Sequence, residues 1–300
     1  MIVMKFGGAS LSNSQGIIKA CRIIKNYSGK NKVILVVSAM KGITDKLYQV
    51  VELLKRKQLK KALAIYKEIK SSHFQALSVI KSSAERVKLE SELINITSRL
   101  ENFVKNVVHK EITPARCDFI VSFGERLSCP IIATALESTG LLAYPIDASL
   151  IIATNHAFGN AVPLYKKSQS HITKIIFPLI NNGVIPVITG FIGFAKDGCT
   201  TTLGRGGSDL TASYLANLLN AKALYLWKDV DGFYTNDPHK DKNAKLMQHL
   251  SYKQAEKMAK DGAKIIYYKA IRPVEKKLIP IYVKSFINPS LQGTTVSKII

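Results

Sequence analysis

Two short segments of the chain carry residues suited to handling anions. Lys5-Phe6-Gly7-Gly8-Ala9-Ser10 places a lysine and two glycines where the first apolar run ends. Thr202-Leu203-Gly204-Arg205-Gly206-Gly207-Ser208-Asp209 runs a glycine-rich turn into the helical pattern LTASYLANLL. Such a turn offers backbone N–H groups and the positive end of a helix dipole to a phosphate. The lysine that closes the ordinary phosphate loop is missing from the second segment. Lys5 can supply it from about two hundred residues upstream, if both turns face one crevice at the carboxyl ends of parallel strands. Taken singly, Phe6-Gly7-Gly8 also reads as a plain tight turn and Asp209 as a carboxylate at a helix start.

The elements that would position these residues follow βαβ grammar. Residues 2–6 and 32–37 are short runs rich in β-branched residues, each followed by a turn and a helical pattern. Further strands are predicted at 119–121, 142–147, 184–189, 223–227 and 280–284, with amphipathic helices over 125–138 and 207–220. The alternation predicts an α/β three-layer αβα sandwich around a mainly parallel sheet. Residues 45–111 hold no strand pattern, only charged helical periodicity, and predict a helical hairpin or small bundle inserted between two strands. A lobe boundary is expected near Gly190, dividing the chain into 1–190 and 191–300.

Composition narrows the class. At 300 residues and 47% hydrophobic content the chain can bury a large core. No apolar run is expected to reach the roughly 20 residues of a membrane span, and MIVMKFGG lacks a signal-peptide layout, so the sequence predicts a cytoplasmic chain without a membrane partner. Cys21, Cys117, Cys129 and Cys199 are scattered, predicting reduced thiols and neither a disulfide framework nor a zinc site. The net charge of +22 comes mostly from lysine, 35 against 8 arginines, spread over nearly every segment. That scatter predicts a basic solvated surface and no dedicated nucleic-acid site.

Read together, KFGGAS (5–10), SAMKGIT (38–44), SFGERLS (122–128), TTLGRGGSD (201–209), WKDVDGFYTNDPH (227–239) and GAKIIYY (262–268) resemble, in order and spacing, the aspartate kinases of the amino-acid kinase family. The resemblance implies transfer of the ATP γ-phosphoryl group to the side-chain carboxylate of L-aspartate, the first step towards lysine, threonine and methionine. It gives Lys5 the place beside the γ-phosphoryl, with Asp209 orienting it and Gly7, Gly8, Gly206 and Gly207 supplying N–H donors. Arg205 matches the fork onto the substrate α-carboxylate, Glu125 the partner of its amino group, and Ser38, Thr44 and Ser208 its hydrogen-bonding groups. Lys228, Asp229, Tyr234 and His239 fall on the adenine and ribose side, and Lys264 over the phosphates. The resemblance implies ATP and Mg²⁺ as cofactors, with no side-chain metal cage and the ion held by phosphate and water, and a homodimer by family habit. Its lobes would be an amino-acid-binding half (1–190) and a nucleotide-binding half (191–300).

Three positions depart from the pattern. Ala9 stands where threonine is usual, His239 replaces an arginine, and Tyr267-Tyr268 replace a His-Pro pair. The histidine exchanges a permanent bidentate cation for a mostly neutral ring, which predicts weaker nucleotide binding. Paired ACT-type regulatory domains, usual in the family after the catalytic unit, are not recognised, and the expectation is a catalytic domain without intrinsic feedback inhibition by end-product amino acids, or one regulated by a separate chain. Alternatives kept open are a relative with another acceptor, such as N-acetylglutamate, glutamate, carbamate or uridylate, and a catalytically silent regulatory relative.

Overall fold

The computed structural model describes residues 1–236, 238 and 240–298. Asp237 and His239 of the expected nucleotide loop lie outside the described residues, so the reading of His239 is not placed.

The strands are β1 (Ile2–Phe6), β2 (Val33–Val37), β3 (Ala143–Ile146), β4 (Ile185–Thr189), β5 (Ile192–Phe194), β6 (Thr200–Thr202), β7 (Leu224–Lys228), β8 (His249–Ser251), β9 (Ile281–Ser285) and β10 (Thr294–Ser297). Eight of them form one sheet in the order β3-β4-β2-β1-β7-β9-β10-β8, parallel throughout except where β10 runs against β9. Runs such as Val33–Val37, buried at every position, suit a strand covered on both faces.

The longer helices are α1 (Ser14–Ser28), α2 (Ile43–Lys55), α3 (Leu59–Ala76), α4 (Ser83–Val107), α5 (Pro114–Val121), α6 (Phe123–Glu137), α7 (Tyr165–Asn181), α8 (Gly207–Leu218), α9 (Tyr252–Lys260) and α10 (Ile271–Glu275). Side-chain alternation along β1 and β7 sorts two of them onto opposite faces. Phe6 and Trp227 are paired across the ladder and stacked at 5.7 Å, with Tyr27 of α1 edge-on to Trp227. Lys5, one residue earlier, points to the other face and meets Asp209 of α8. The sandwich is thus three layers, helices on either side of the sheet.

Residues 119–121, expected as a strand, are the last turn of α5. Thr113 caps that helix by accepting the Arg116 N–H, and Pro114 takes the first turn, where its missing donor costs nothing. Phe119 then packs edge-on against Phe123 at the i, i+4 spacing of a helical stripe. Three apolar residues are too few to separate the two periods. The same region corrects the expectation about apolar length, because residues 114–137 are long and apolar enough to cross a membrane. The structure buries 89% of their most apolar 18-residue stretch, making it a core helix pair. The hairpin β5–β6 and the short strands β8 and β10 were not legible beforehand.

The predicted insertion is a three-helix unit, α2 to α4, packed onto α6. Leu89, Leu93, Thr97, Leu100, Val104 and Val107 form its buried stripe on α4 at spacings of four and three. His73 of α3 is fully buried, its Nδ1 2.7 Å from the Ile69 carbonyl and its Nε2 unpaired. Burial drives this imidazole down to about 4 against the pull of the Ile69 hydrogen bond. The unfolded chain therefore takes up the proton first, and folding stability falls as pH drops from about 6.5 through 4. We expect about 3 kcal/mol of acid sensitivity from this residue. Urea titrations at pH 7 and pH 4 should show the wild type losing that much more than a His73→Leu variant; equal losses would refute the assignment.

Candidate active site

Five parallel strands end together. Thr189, Val37, Phe6, Trp227 and Lys284 are register partners across β4, β2, β1, β7 and β9, so the turns leaving the first four emerge along one rim. The turn after β1 is drawn tightly onto the turn after β2, for a Cβ on Gly8 would lie 2.6 Å from the Ala39 carbonyl oxygen. Only glycine fits there.

Lys5 and Asp209 meet on this rim, both nearly inaccessible at 6% and 4% exposure. Lys5 Nζ lies 2.8 Å from Asp209 Oδ1, close enough for an ion pair but not aligned as a hydrogen bond. Lys228 Nζ donates to the other oxygen, Oδ2, at 2.7 Å. The sequence pattern put Lys228 on the adenine and ribose side. Its ammonium instead belongs to the Lys5–Asp209 cluster, because Lys5 pairs with Leu226 and Lys228 follows two residues later on the same face. Burial alone would raise the Asp209 carboxyl, but the ammonium groups of Lys228 and Lys5 hold it well below the usual carboxylate range.

Asp209 sits in the first turn of α8, whose cap is Gly206 in the left-handed conformation at φ 69°. A Cβ on Gly206 would lie 2.3 Å from Cβ of Tyr267, so the segment carrying Tyr267 is pressed against the helix start. Gly207, expected as a free donor, is not one: its N–H is taken by the Gly204 carbonyl at 2.9 Å, because the turn closes on itself. The open donors of this helix start, among the described residues, are the N–H groups of the cap residue Gly206 and of Ser208 and Asp209. The N–H groups of Gly7 and Gly8 are likewise without an acceptor.

Glu125 enters the rim from α6, which packs beside α1. It is 3% exposed, and its Oε2 has no partner. Burial pushes its carboxyl up to about 8, opposed by N–H groups of Ala39 and Glu125 itself and by the charges of Lys5 and Arg126. Lys5 is therefore near enough to act on it. Its neighbour Arg126 anchors the helix start elsewhere, with Nε 2.5 Å from Asp147 Oδ2 and further bonds to Ser122 and Thr200. Ser128 donates to the Ser38 carbonyl at 2.8 Å, tying the same helix to the β2 exit.

The remaining predicted residues are placed less tightly. Ser38 and Thr44 are half-buried on and after the β2 exit, and Ser208 is buried beside Asp209. Arg205 is exposed one residue before Gly206, with no ion pair among the described residues. Lys264 is exposed on the segment that carries Tyr267. Asp229 is exposed yet near enough to act on Lys228, while Tyr234 donates to Asp231 at 3.2 Å, apart from the cluster. One group escaped the sequence reading: Ser10, 1% exposed, has an unpaired buried hydroxyl directly after the glycine turn. Its signal was available, a hydroxyl residue two places beyond a glycine pair. Among the described residues no cluster of three or more His, Cys, Asp or Glu is arranged to hold a metal ion.

Such a rim gathers one buried and one partly buried cation, open N–H donors and one unsatisfied carboxyl, a set able to bind a polyanion beside a ligand that carries an ammonium group. The sequence profile of the amino acid kinase family matches residues 1–285. Aspartokinase 1, chloroplastic, of Arabidopsis thaliana is 33% identical over 304 residues, covering 99% of this chain and 52% of that protein. The lysine-sensitive aspartokinase 3 of Escherichia coli K12 is 32% identical, over 99% of this chain and 64% of that one. The crystal structure of E. coli aspartokinase III in complex with aspartate and ADP superposes with a TM-score of 0.91 at 29% identity, covering 100% of this chain and 65% of that one. This chain thus spans between about half and two thirds of the length of these relatives.

Proposed function

This chain belongs to the amino acid kinase family, and from that membership we propose that it is the catalytic unit of an aspartate kinase. On this reading it moves the ATP γ-phosphoryl group to the β-carboxylate of L-aspartate, giving 4-phospho-L-aspartate and ADP. The observation that carries it is the pairing of opposites on one rim: the Lys5–Asp209–Lys228 cluster beside Glu125, a buried carboxyl with a free oxygen. Similarity to a protein solved with aspartate and ADP supports the same substrates.

The acceptor carboxylate is already ionised at neutral pH, so no general base is required. One of its oxygens bonds to the γ-phosphorus while the bond from that phosphorus to the bridging oxygen breaks, and ADP leaves with the electron pair. The protein's task is to bring two anions together and neutralise the charge between them. Lys5 would meet the γ-phosphoryl, with the N–H groups of Gly7, Gly8, Ser208 and Asp209 around the phosphates. Arg205 would fork onto the α-carboxylate and Glu125 take the ammonium, with Ser38, Thr44 and Ser208 completing the acceptor side. Lys264, Asp229 and Tyr234 would serve the nucleotide. Asp209 is already occupied by two ammonium groups, so Mg²⁺ would be held by nucleotide oxygens and water, supplying further charge neutralisation.

The lobes follow the sheet. β1 to β4 make one half of it and β7 to β10 the other, which supports an acceptor side in residues 1–190 and a nucleotide side in 191–300. Glu125 favours a free amino acid over an acetylated one, since an amide nitrogen gains nothing from a buried carboxylate.

An acyl-phosphate trap with hydroxylamine and Mg-ATP, run over aspartate, glutamate, N-acetylglutamate and carbamate, tests the proposal, with ADP release read in parallel for uridylate. Hydroxamate with aspartate alone is expected; a stronger signal with another acceptor, or none with any, would overturn it.

The acceptor side also has a pH signature. Only ionised Glu125 can hold an ammonium group, and burial keeps it protonated below about 8. Aspartate binding at lower pH must then release that proton, so KM for aspartate should fall about tenfold per unit between pH 6 and 8 and level off above. Turnover at saturation should stay flat over the same range. A Glu125→Gln variant should lose the slope, and a pH-independent KM in the wild type would refute the role.

A further inference from the structure

Two lysines share one buried carboxylate, and the two contacts differ. Lys228 makes an aligned hydrogen bond to Asp209 Oδ2 at 2.7 Å, whereas Lys5 sits 2.8 Å from Oδ1 without that alignment. The β7 strand end carries Lys228 to the same sheet face as Lys5, and its side chain is only 15% exposed. A buried carboxylate left without a counter-ion is heavily penalised. If Lys5 were the only cation on Asp209, turning its ammonium towards an incoming phosphate would strand that carboxylate.

We infer that Lys228 is the standing counter-ion of Asp209, a positioning residue that frees Lys5 to engage the transferring phosphate. The role rests on the phosphoryl-transfer reading of the site and goes beyond it, because it assigns the two cations different duties. Lys5 touches the nucleotide; Lys228 acts through Asp209. The triad carries a net charge of +1 at rest, and that surplus is Lys5's to offer.

A double-mutant cycle read in Mg-ATP affinity by calorimetry, with no acceptor present, tests this. Lys228→Met in the wild type leaves Asp209 dependent on Lys5, and affinity should fall about 30-fold or more, as for loss of one preorganised charge contact. In an Asp209→Asn background there is no carboxylate to neutralise, and the same substitution should change affinity by no more than about twofold. Equal losses in both backgrounds would mean that Lys228 meets the phosphates itself, and would overturn the inference.

Charge and hydrogen bonding are separated by two further variants, which keep the test decisive should Asp209→Asn fail to fold. Lys228→Arg should stay within about threefold of the wild type, while Lys228→Gln, which keeps a donor but no charge, should lose as much as methionine does. Wild-type affinity in Lys228→Gln would also overturn it. In turnover assays the Lys228→Met loss should likewise be rescued by arginine. A wild type that binds Mg-ATP but phosphorylates no aspartate would sink the acceptor reading and leave this cycle to decide the duty of Lys228.

Discussion

Replacing Lys5 by methionine will lower turnover at least about a thousandfold while the protein keeps its fold. Methionine retains most of the unbranched stem, so the β1 interior stays filled, and Asp209 keeps Lys228 as a partner at 2.7 Å. What disappears is the Lys5 ammonium, which lies between the glycine turn at Gly7 and the start of α8. A preorganised donor at developing charge is worth about 10² to 10³ in rate, and a cation on a transferring phosphoryl group about 10³ to 10⁵. Both descriptions fit Lys5, so the larger range applies. ADP release by the purified variant, with its thermal unfolding recorded beside it, is the measurement. A stable Lys5→Met protein retaining a tenth of the wild-type rate would remove this lysine from the chemistry.

Arg205→Ala should act on a different constant. Its guanidinium is exposed, without an ion pair among the described residues, on a turn whose next residue, Gly206, is fixed by its left-handed backbone and by Tyr267. A free fork on that turn is suited to a carboxylate, and a charged hydrogen-bonded contact of that kind contributes roughly 1.5 to 3 kcal/mol. KM for aspartate should therefore rise about a hundredfold, with KM for ATP within a factor of about two. Arg205→Lys should recover part of the loss, because it restores charge and not the fork. An Arg205→Ala enzyme whose defect lies in ATP affinity would move Arg205 to the nucleotide side.

The two predictions differ in how far the sequence supported them. That Lys5 and Asp209 could share a crevice was legible because one precedes and the other follows a glycine turn, and βαβ grammar lets both turns face one edge; that Asp209 orients Lys5 came from the resemblance. Glu125 was legible as a candidate, but not its condition. A carboxyl at a helix start is ordinarily ionised, and only burial in the rim drives it up to about 8, against the pull of the Ala39 N–H and of the Lys5 and Arg126 charges. Arg205 rested on resemblance alone. Ser10 passed unnoticed because nothing local distinguishes a buried hydroxyl from an exposed one. Residues 119–121 misled for a related reason, since three apolar residues take the period of whatever they pack against, and here that was Phe103 and Phe123.

Composition, period and turn chemistry by themselves determined the layered α/β plan, the helical insertion and the two glycine turns, because those properties depend on neighbours within a few residues. The allocation of charge was decided only by tertiary structure. That Gly207 has no donor to spare, that Lys228 turns to Asp209, and that two ammonium groups divide one carboxylate all depend on strand register and on where α8 lands across the sheet. Electrostatic interaction falls with distance through space, and the chain between Lys5 and Lys228 carries no record of that distance until the β1–β7 ladder closes it.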